Sequence, residues 1–163
     1  MKKYILSFVL ILSCAAPAIA DDNGNVPLEK GHVWQAIDYE WGRVIRQYNV
    51  PVDIVQKDVT CDGRDDFVAS RVNQDHPDGP FFDMIVVTDD GGEVRHESVS
   101  LPFTGASEQF GLCLNEQDGP KAELDFDTWP KEEIDEYIGM DVCPTAIEVV
   151  DNMCDTPRFF WYP

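Results

Sequence analysis

Residues 81–100 read FFDMIVVTDDGGEVRHESVS, and the four residues at the centre, Asp89-Asp90-Gly91-Gly92, decide what kind of sheet this chain builds. Phe81–Thr88 and Glu93–Ser100 are β-like runs on either side of an Asp/Gly turn. Glycine enters the left-handed backbone of a tight hairpin turn without steric cost, so the two runs are expected to pair antiparallel.

The same punctuation recurs outward from this hairpin. Val52–Val59 and Phe67–Val72 lie upstream, joined by an acidic turn and followed by the turn-rich NQDHPDGP at 73–80. Downstream, Phe110–Leu114 precedes the turn NEQDGPK, and Ala122–Phe126 alternates again. Trp129–Ile138 reads as a short helix, with Pro130 tolerated in the first turn and Gly139 past the end. Thr145–Val150 and Arg158–Tyr162 flank DNMCDTP and are expected to form a closing hairpin. Residues 73–83 suit a long hairpin connection, with an exposed recognition loop as the other reading. The terminal RFFWYP suits a last packed strand or, alternatively, a sticky edge for a partner strand.

One segment has the other period. Trp34, Ile37, Trp41, Val44, Ile45 and Tyr48 recur at steps of three and four, which predicts a helix over 32–48 with one apolar stripe, stopped by Asn49 and Pro51. A leading helix followed by successive hairpins predicts an α+β fold: an antiparallel sheet of five to seven short strands covered by the N-terminal helix. An all-β sandwich with an added helix is the alternative. With no internal repeat or linker, residues 32–163 read as a single domain behind a flexible leader at 21–31.

The chain opens MKKYILSFVLILSCAAPAIADD. Two lysines, an apolar run and the small-residue Ala18-Ile19-Ala20 follow the order of a secretory signal peptide cleaved after Ala20, which implies a periplasmic or extracellular protein. A lipoprotein box ending at Cys14 is the minor alternative. Loss of Lys2 and Lys3 takes the formal charge from −19 to −21. So acidic a surface repels nucleic acid and anionic lipid, and it steers cations or basic proteins toward it. No segment reads as embedded in a membrane. Beyond position 20 there are four cysteines, Cys61, Cys113, Cys143 and Cys154, without a C-x-x-C pair, which suggests two disulfides. The expected pairing is Cys61–Cys113 and Cys143–Cys154, the second closing a short loop beside a strand end.

The stretch KDVTCDGRDDF at 57–67 has the one spacing that suits a metal. Counting from Asp58, oxygens fall at Asp58, Thr60, Asp62, the backbone carbonyl of Arg64, and Asp66, with Gly63 at the sixth position. Calcium takes six to eight hard oxygens, and a glycine permits the sharp turn that gathers them. These nine residues resemble the D-x-[ND]-x-D-G-x-x-D calcium loops of FG-GAP and VCBS repeat proteins, which sit between two strands. The resemblance implies a weak structural calcium site. Thr60 departs from it with a neutral hydroxyl, Ala69 stands where a twelfth-position glutamate would be, and a disulfide at Cys61 would make the metal optional, so no cofactor is required. The aspartates repel one another unless a cation or Arg64 compensates.

Catalytic signatures are absent: no G-x-S-x-G, H-E-x-x-H, P-loop or dinucleotide fingerprint occurs, and His32, His76 and His96 are scattered. Carboxylate pairs such as Glu132/Glu133 and Asp125/Asp127 leave a small hydrolase as a distant alternative. The layout as a whole resembles small exported bacterial proteins in which a helix precedes a VTCDG loop and an antiparallel sheet, a likeness that carries no activity with it. The expected role is therefore non-enzymatic, with an inhibitor or immunity protein that caps a basic exported enzyme as the alternative.

Overall fold

The computed structural model describes residues 28–42, 44–47, 49–90, 93–104, 111–115, 117–154 and 156–162. The proposed signal peptide, most of the leader, and the turn residues Gly91 and Gly92 lie outside the described residues.

The fold is α+β, with a five-stranded sheet at its centre. Strands β1 (Asp53–Lys57), β2 (Asp66–Asn73), β3 (Phe81–Asp90) and β4 (Glu93–Thr104) form an antiparallel meander. Asp90 pairs with Glu93, so the hairpin closes over two residues as the Asp/Gly signal predicts. A two-residue strand β5 (Leu112–Cys113) adds in parallel to the far end of β4, inside the run expected at 110–114, of which Phe110 lies outside the described residues. A second, three-stranded antiparallel sheet follows, from β6 (Glu123–Thr128), β7 (Thr145–Val150) and β8 (Arg158–Phe160).

The expected single helix over 32–48 is two helices. Helix α1 covers Lys30–Glu40 and α2 covers Val44–Gln47. The break falls at Gly42, whose φ of 79° only glycine adopts freely. The start also comes earlier than expected: the amide of Glu29 donates to Nδ1 of His32 at 3.1 Å, and Leu28 packs on the core, so the end of the presumed leader belongs to the fold. Helix α3 (Lys131–Tyr137) begins after Pro130 and ends at Gly139, whose amide donates to the carbonyl of Ile134 at 3.0 Å.

Strand β3 shows how the layers assemble. Its side chains alternate between two cores, and both are apolar. Ile85 and Val87 join Phe67 and Ala69 of β2 beneath Val33, Ala36 and Ile37 of α1. Phe82, Met84 and Val86 face the opposite way, against Ile147 and Val149 of β7. The central sheet is thus covered by the N-terminal helix on one face, as expected, and by the small sheet on the other. Three polar residues of β3 are also buried, Thr88 and Asp89 near its end and Asp83 within it, 4% exposed. Asp83, on the helix-covered side, takes the guanidinium of Arg71 (Nε 3.0 Å) and the hydroxyl of Ser100 (2.7 Å), while Arg71 stacks on Trp41 at 4.9 Å.

Candidate functional site

The acidic stretch forms the turn between β1 and β2, whose last paired residues are Lys57 and Asp66. Asp66 is 1% exposed, and its Oδ2 accepts the amides of Val59 (2.9 Å) and Thr60 (3.0 Å). Burial pushes the Asp66 carboxyl above its ordinary value, against the opposing influence of the Thr88 hydroxyl and the two amides. Asp58 Oδ2 accepts the amide of Gly63 at 3.1 Å, where φ is 85°. Asp62 turns back on Arg64: Oδ1 accepts its amide at 2.8 Å, and Oδ2 its Nε at 3.0 Å. The same guanidinium reaches Asp89 at the end of β3, with Nη1 2.6 Å from Oδ2. Arg64 thereby supplies a positive charge between two carboxylates, and both hold it more firmly protonated.

The five residues singled out in the sequence therefore share one turn but have different work. The carboxylates of Asp58, Asp62 and Asp66 do not form a cluster of three with oxygens within 4.8 Å of one another. Asp66 is spent on backbone amides and Asp62 on Arg64. Two oxygens of the set stand apart: Asp58 Oδ1 and Thr60 Oγ1 are buried without a hydrogen-bond partner.

The disulfides correct the expected pairing. Cys61 is bonded to Cys143, with Cα atoms 5.4 Å apart, and Cys113 to Cys154, with Cα atoms 5.8 Å apart. The expected pairs would have lain within one sheet region each. Both observed bonds instead tie the five-stranded sheet to the segments flanking β7, because the shared core stacks one sheet over the other. Cys61 itself sits at φ 61°, a left-handed turn position.

Sequence reasoning passed over Asp151. Its Oδ2 accepts the amide of Cys113 at 2.6 Å, and its Oδ1 those of Met153 (2.8 Å) and Cys154 (2.9 Å). Burial opposes its ionisation, yet the three amides together outweigh that and hold the carboxyl below its ordinary range. Cys113, Asp151 and Cys154 are the one group of three metal-ligand types in close approach among the described residues. With both thiols in a disulfide and both Asp151 oxygens accepting amides, the group is a clasp between the sheets. The available signal was the Asp-x-x-Cys at 151–154, an aspartate placed to cap its own turn.

The histidines are dispersed as the sequence implies. His32 caps α1, His76 accepts the amide of Asp78 at 3.3 Å and stacks on Phe81, and His96 lies 3.0 Å from Glu40. Residues 74–80 connect β2 to β3, with the Gly79 amide on the His76 carbonyl. Of the terminal aromatics, Trp161 packs against the core between the sheets and its carbonyl accepts the Cys143 amide at 2.9 Å, while Tyr162 is exposed. No helix among the described residues is long and apolar enough to cross a membrane. No known family, curated protein or solved structure matches the chain.

Proposed function

We propose that the chain is an exported, disulfide-stapled acidic domain with a non-enzymatic role, whose 58–66 turn takes a weak calcium ion as an optional stabiliser. The supporting observation is the pair of buried, unpartnered oxygens at the first and third loop positions, Asp58 Oδ1 and Thr60 Oγ1. A buried carboxylate oxygen with no donor is costly, and a hard cation relieves that cost directly. Asp62 and Asp66, now spent on Arg64 and on backbone amides, would have to turn toward the ion to complete the set with the Arg64 carbonyl. The chemistry supplied is structural: charge neutralisation across the turn.

The experiment is a thermal melt in millimolar calcium, in magnesium and in chelator. Stabilisation by calcium that disappears in Asp58→Asn supports the reading, and an unchanged melt removes the metal from it. Export is tested by the N-terminus of the protein recovered from the periplasm, expected at Asp21. Recovery in the membrane fraction with lipid on Cys14 would favour the tethered alternative.

A second reading has its own observation. Between Glu123 and Asp141 eight carboxylates are exposed, on β6, α3 and the turn after it, against a single lysine, Lys131. That surface suits the cap of a basic exported enzyme. Binding to a defined basic cell-wall hydrolase should then weaken steeply with salt, and salt-insensitive or absent binding would count against it.

A further inference from the structure

The small sheet covers only part of the inner face of the central one. Along β4 the residues of that face are Arg95, Glu97, Val99 and Leu101, and along β3 they are Met84, Val86 and Thr88. Val99 and Leu101 pack against the shared core, whereas Glu97 is exposed. The change from apolar to charged along one strand face marks where the cover stops.

Two cavities open at this mouth. An inner one of about 310 Å³ is apolar, walled by Met84, Val86 and Val99 on one side and Ile147 and Phe159 on the other. An outer one of about 380 Å³ is lined by Thr88, Asp89 and Arg95 together with Thr60 and Asp62 of the disulfide-held turn. Glu97, Trp161 and Tyr162 line both, so the two form one continuous cleft. Its size is that of a small-molecule site.

The lining specifies the ligand. Asp62 and Asp89 already share the guanidinium of Arg64. The Glu97 side chain makes no hydrogen bond or ion pair among the described residues, and it stands at the junction of the apolar and polar halves. Two aromatic side chains line the same junction, and aromatic rings attract cations through their negative faces. Against the carboxylates of Asp62, Asp89 and Glu97 stand the guanidiniums of Arg64 and Arg95, the latter also paired with Glu93, so the mouth keeps a net negative charge. The field of a chain carrying −19 disfavours an anionic head further. A protein surface does not fit between two packed sheets, but a single chain or ring does.

We propose that the cleft between the two sheets binds a small amphipathic cation, with its apolar body in the inner cavity and its ammonium or guanidinium head at Glu97 beside Trp161 and Tyr162. This goes beyond the calcium and export readings; the outer cavity shares Thr60 and Asp62 with the calcium turn, so the titrations are made in chelator and the two readings can fail separately.

Three probes with one tail separate the possibilities: octyltrimethylammonium, octyl glucoside and octyl sulfate, titrated below their micelle concentrations into the full mature chain by calorimetry. The cation is expected to bind at one site per chain, roughly tenfold tighter than the glucoside, with the sulfate weakest. Glu97→Gln should bring the cation to within roughly twofold of the glucoside, and Tyr162→Ala should weaken it roughly threefold, both without lowering the melting temperature. Glu123→Gln, on the far edge of the small sheet, should leave it unchanged. Equal binding of the three probes, tightest binding of the sulfate, or equal losses in Glu97→Gln and Glu123→Gln would each overturn the proposal.

Discussion

Cys61 is bonded to Cys143, 82 residues later, and the bond joins the β1–β2 turn of one sheet to the approach to β7 in the other. The Cys113–Cys154 bond, spanning 41 residues, repeats the connection at the far end of β4. Both close long loops, so both restrict the unfolded chain strongly, on the order of 4 kcal/mol each in the chain-entropy account. They also hold the walls of the cleft at a set separation, which connects the staples to the proposed binding site.

Non-reducing proteolysis with mass spectrometry should recover linked peptides Cys61–Cys143 and Cys113–Cys154. The double variant Cys61→Ser/Cys143→Ser should lose roughly 3–5 kcal/mol in denaturant unfolding, or fail to accumulate. Recovery of a Cys61–Cys113 peptide would contradict the stacking of the sheets.

Asp151 and Asp66 should give opposite pH dependences. The Asp151 carboxyl is held below its ordinary value of 3.8, so its contribution is complete above 3.8 and is lost as pH falls through its lower folded value. Asp66 is raised above 3.8, so its linkage term is greatest below 3.8 and is lost as pH rises through its folded value. Urea unfolding from acid to neutral pH should show Asp151→Asn blunting the acid decline and costing about 1–3 kcal/mol at neutral pH. Asp66→Asn should be milder at neutral pH and should flatten the fall above 3.8. Curves parallel to the parent would refute both assignments.

Two glycines should respond in opposite directions to alanine. Gly31 lies in α1 with nothing within 4 Å of an added Cβ, so Gly31→Ala should stabilise by about 0.4–1 kcal/mol. At Gly111 a Cβ would meet Thr104 Oγ1 at 2.6 Å and the Pro102 carbonyl at 2.9 Å. The backbone must shift there, and Gly111→Ala should cost about 1–3 kcal/mol in the same assay.

The edge strand β6 is protected by its own aspartates. The amide of Phe126 donates to Asp125 Oδ1 at 2.8 Å and that of Thr128 to Asp127 Oδ1 at 2.7 Å. The double variant Asp125→Ala/Asp127→Ala frees both donors and removes two charges. It should raise concentration-dependent association, read by light scattering, while Glu132→Ala/Glu133→Ala, which removes equal charge from α3, should not.

Local signals were legible wherever a few neighbouring residues set the conformation. The hairpin around Asp89–Gly92, the strand at Thr145–Val150 and the stop at Gly139 could each be read from turn chemistry and alternation. The break in the first helix was missed because the apolar stripe keeps its period across Gly42, and only the left-handed backbone there interrupts it. At the site, the spacing of Asp58, Thr60, Asp62 and Asp66 was visible but their partners were not. Asp66 faces amides of its own turn, Arg64 reaches Asp89 25 residues away, and Asp151 holds the amide of Cys113 from 38 residues away.

The sequence by itself determined the order of hairpins, the α+β class and the strong negative charge, because turn residues, side-chain periodicity and composition act within short segments. Tertiary structure alone decided which cysteines bond and which carboxylates are spent on amides or arginine. It also decided that a second sheet covers the first only partway. Those outcomes depend on stacking two apolar faces contributed by β3 and β7, residues some sixty positions apart whose contact no local pattern encodes.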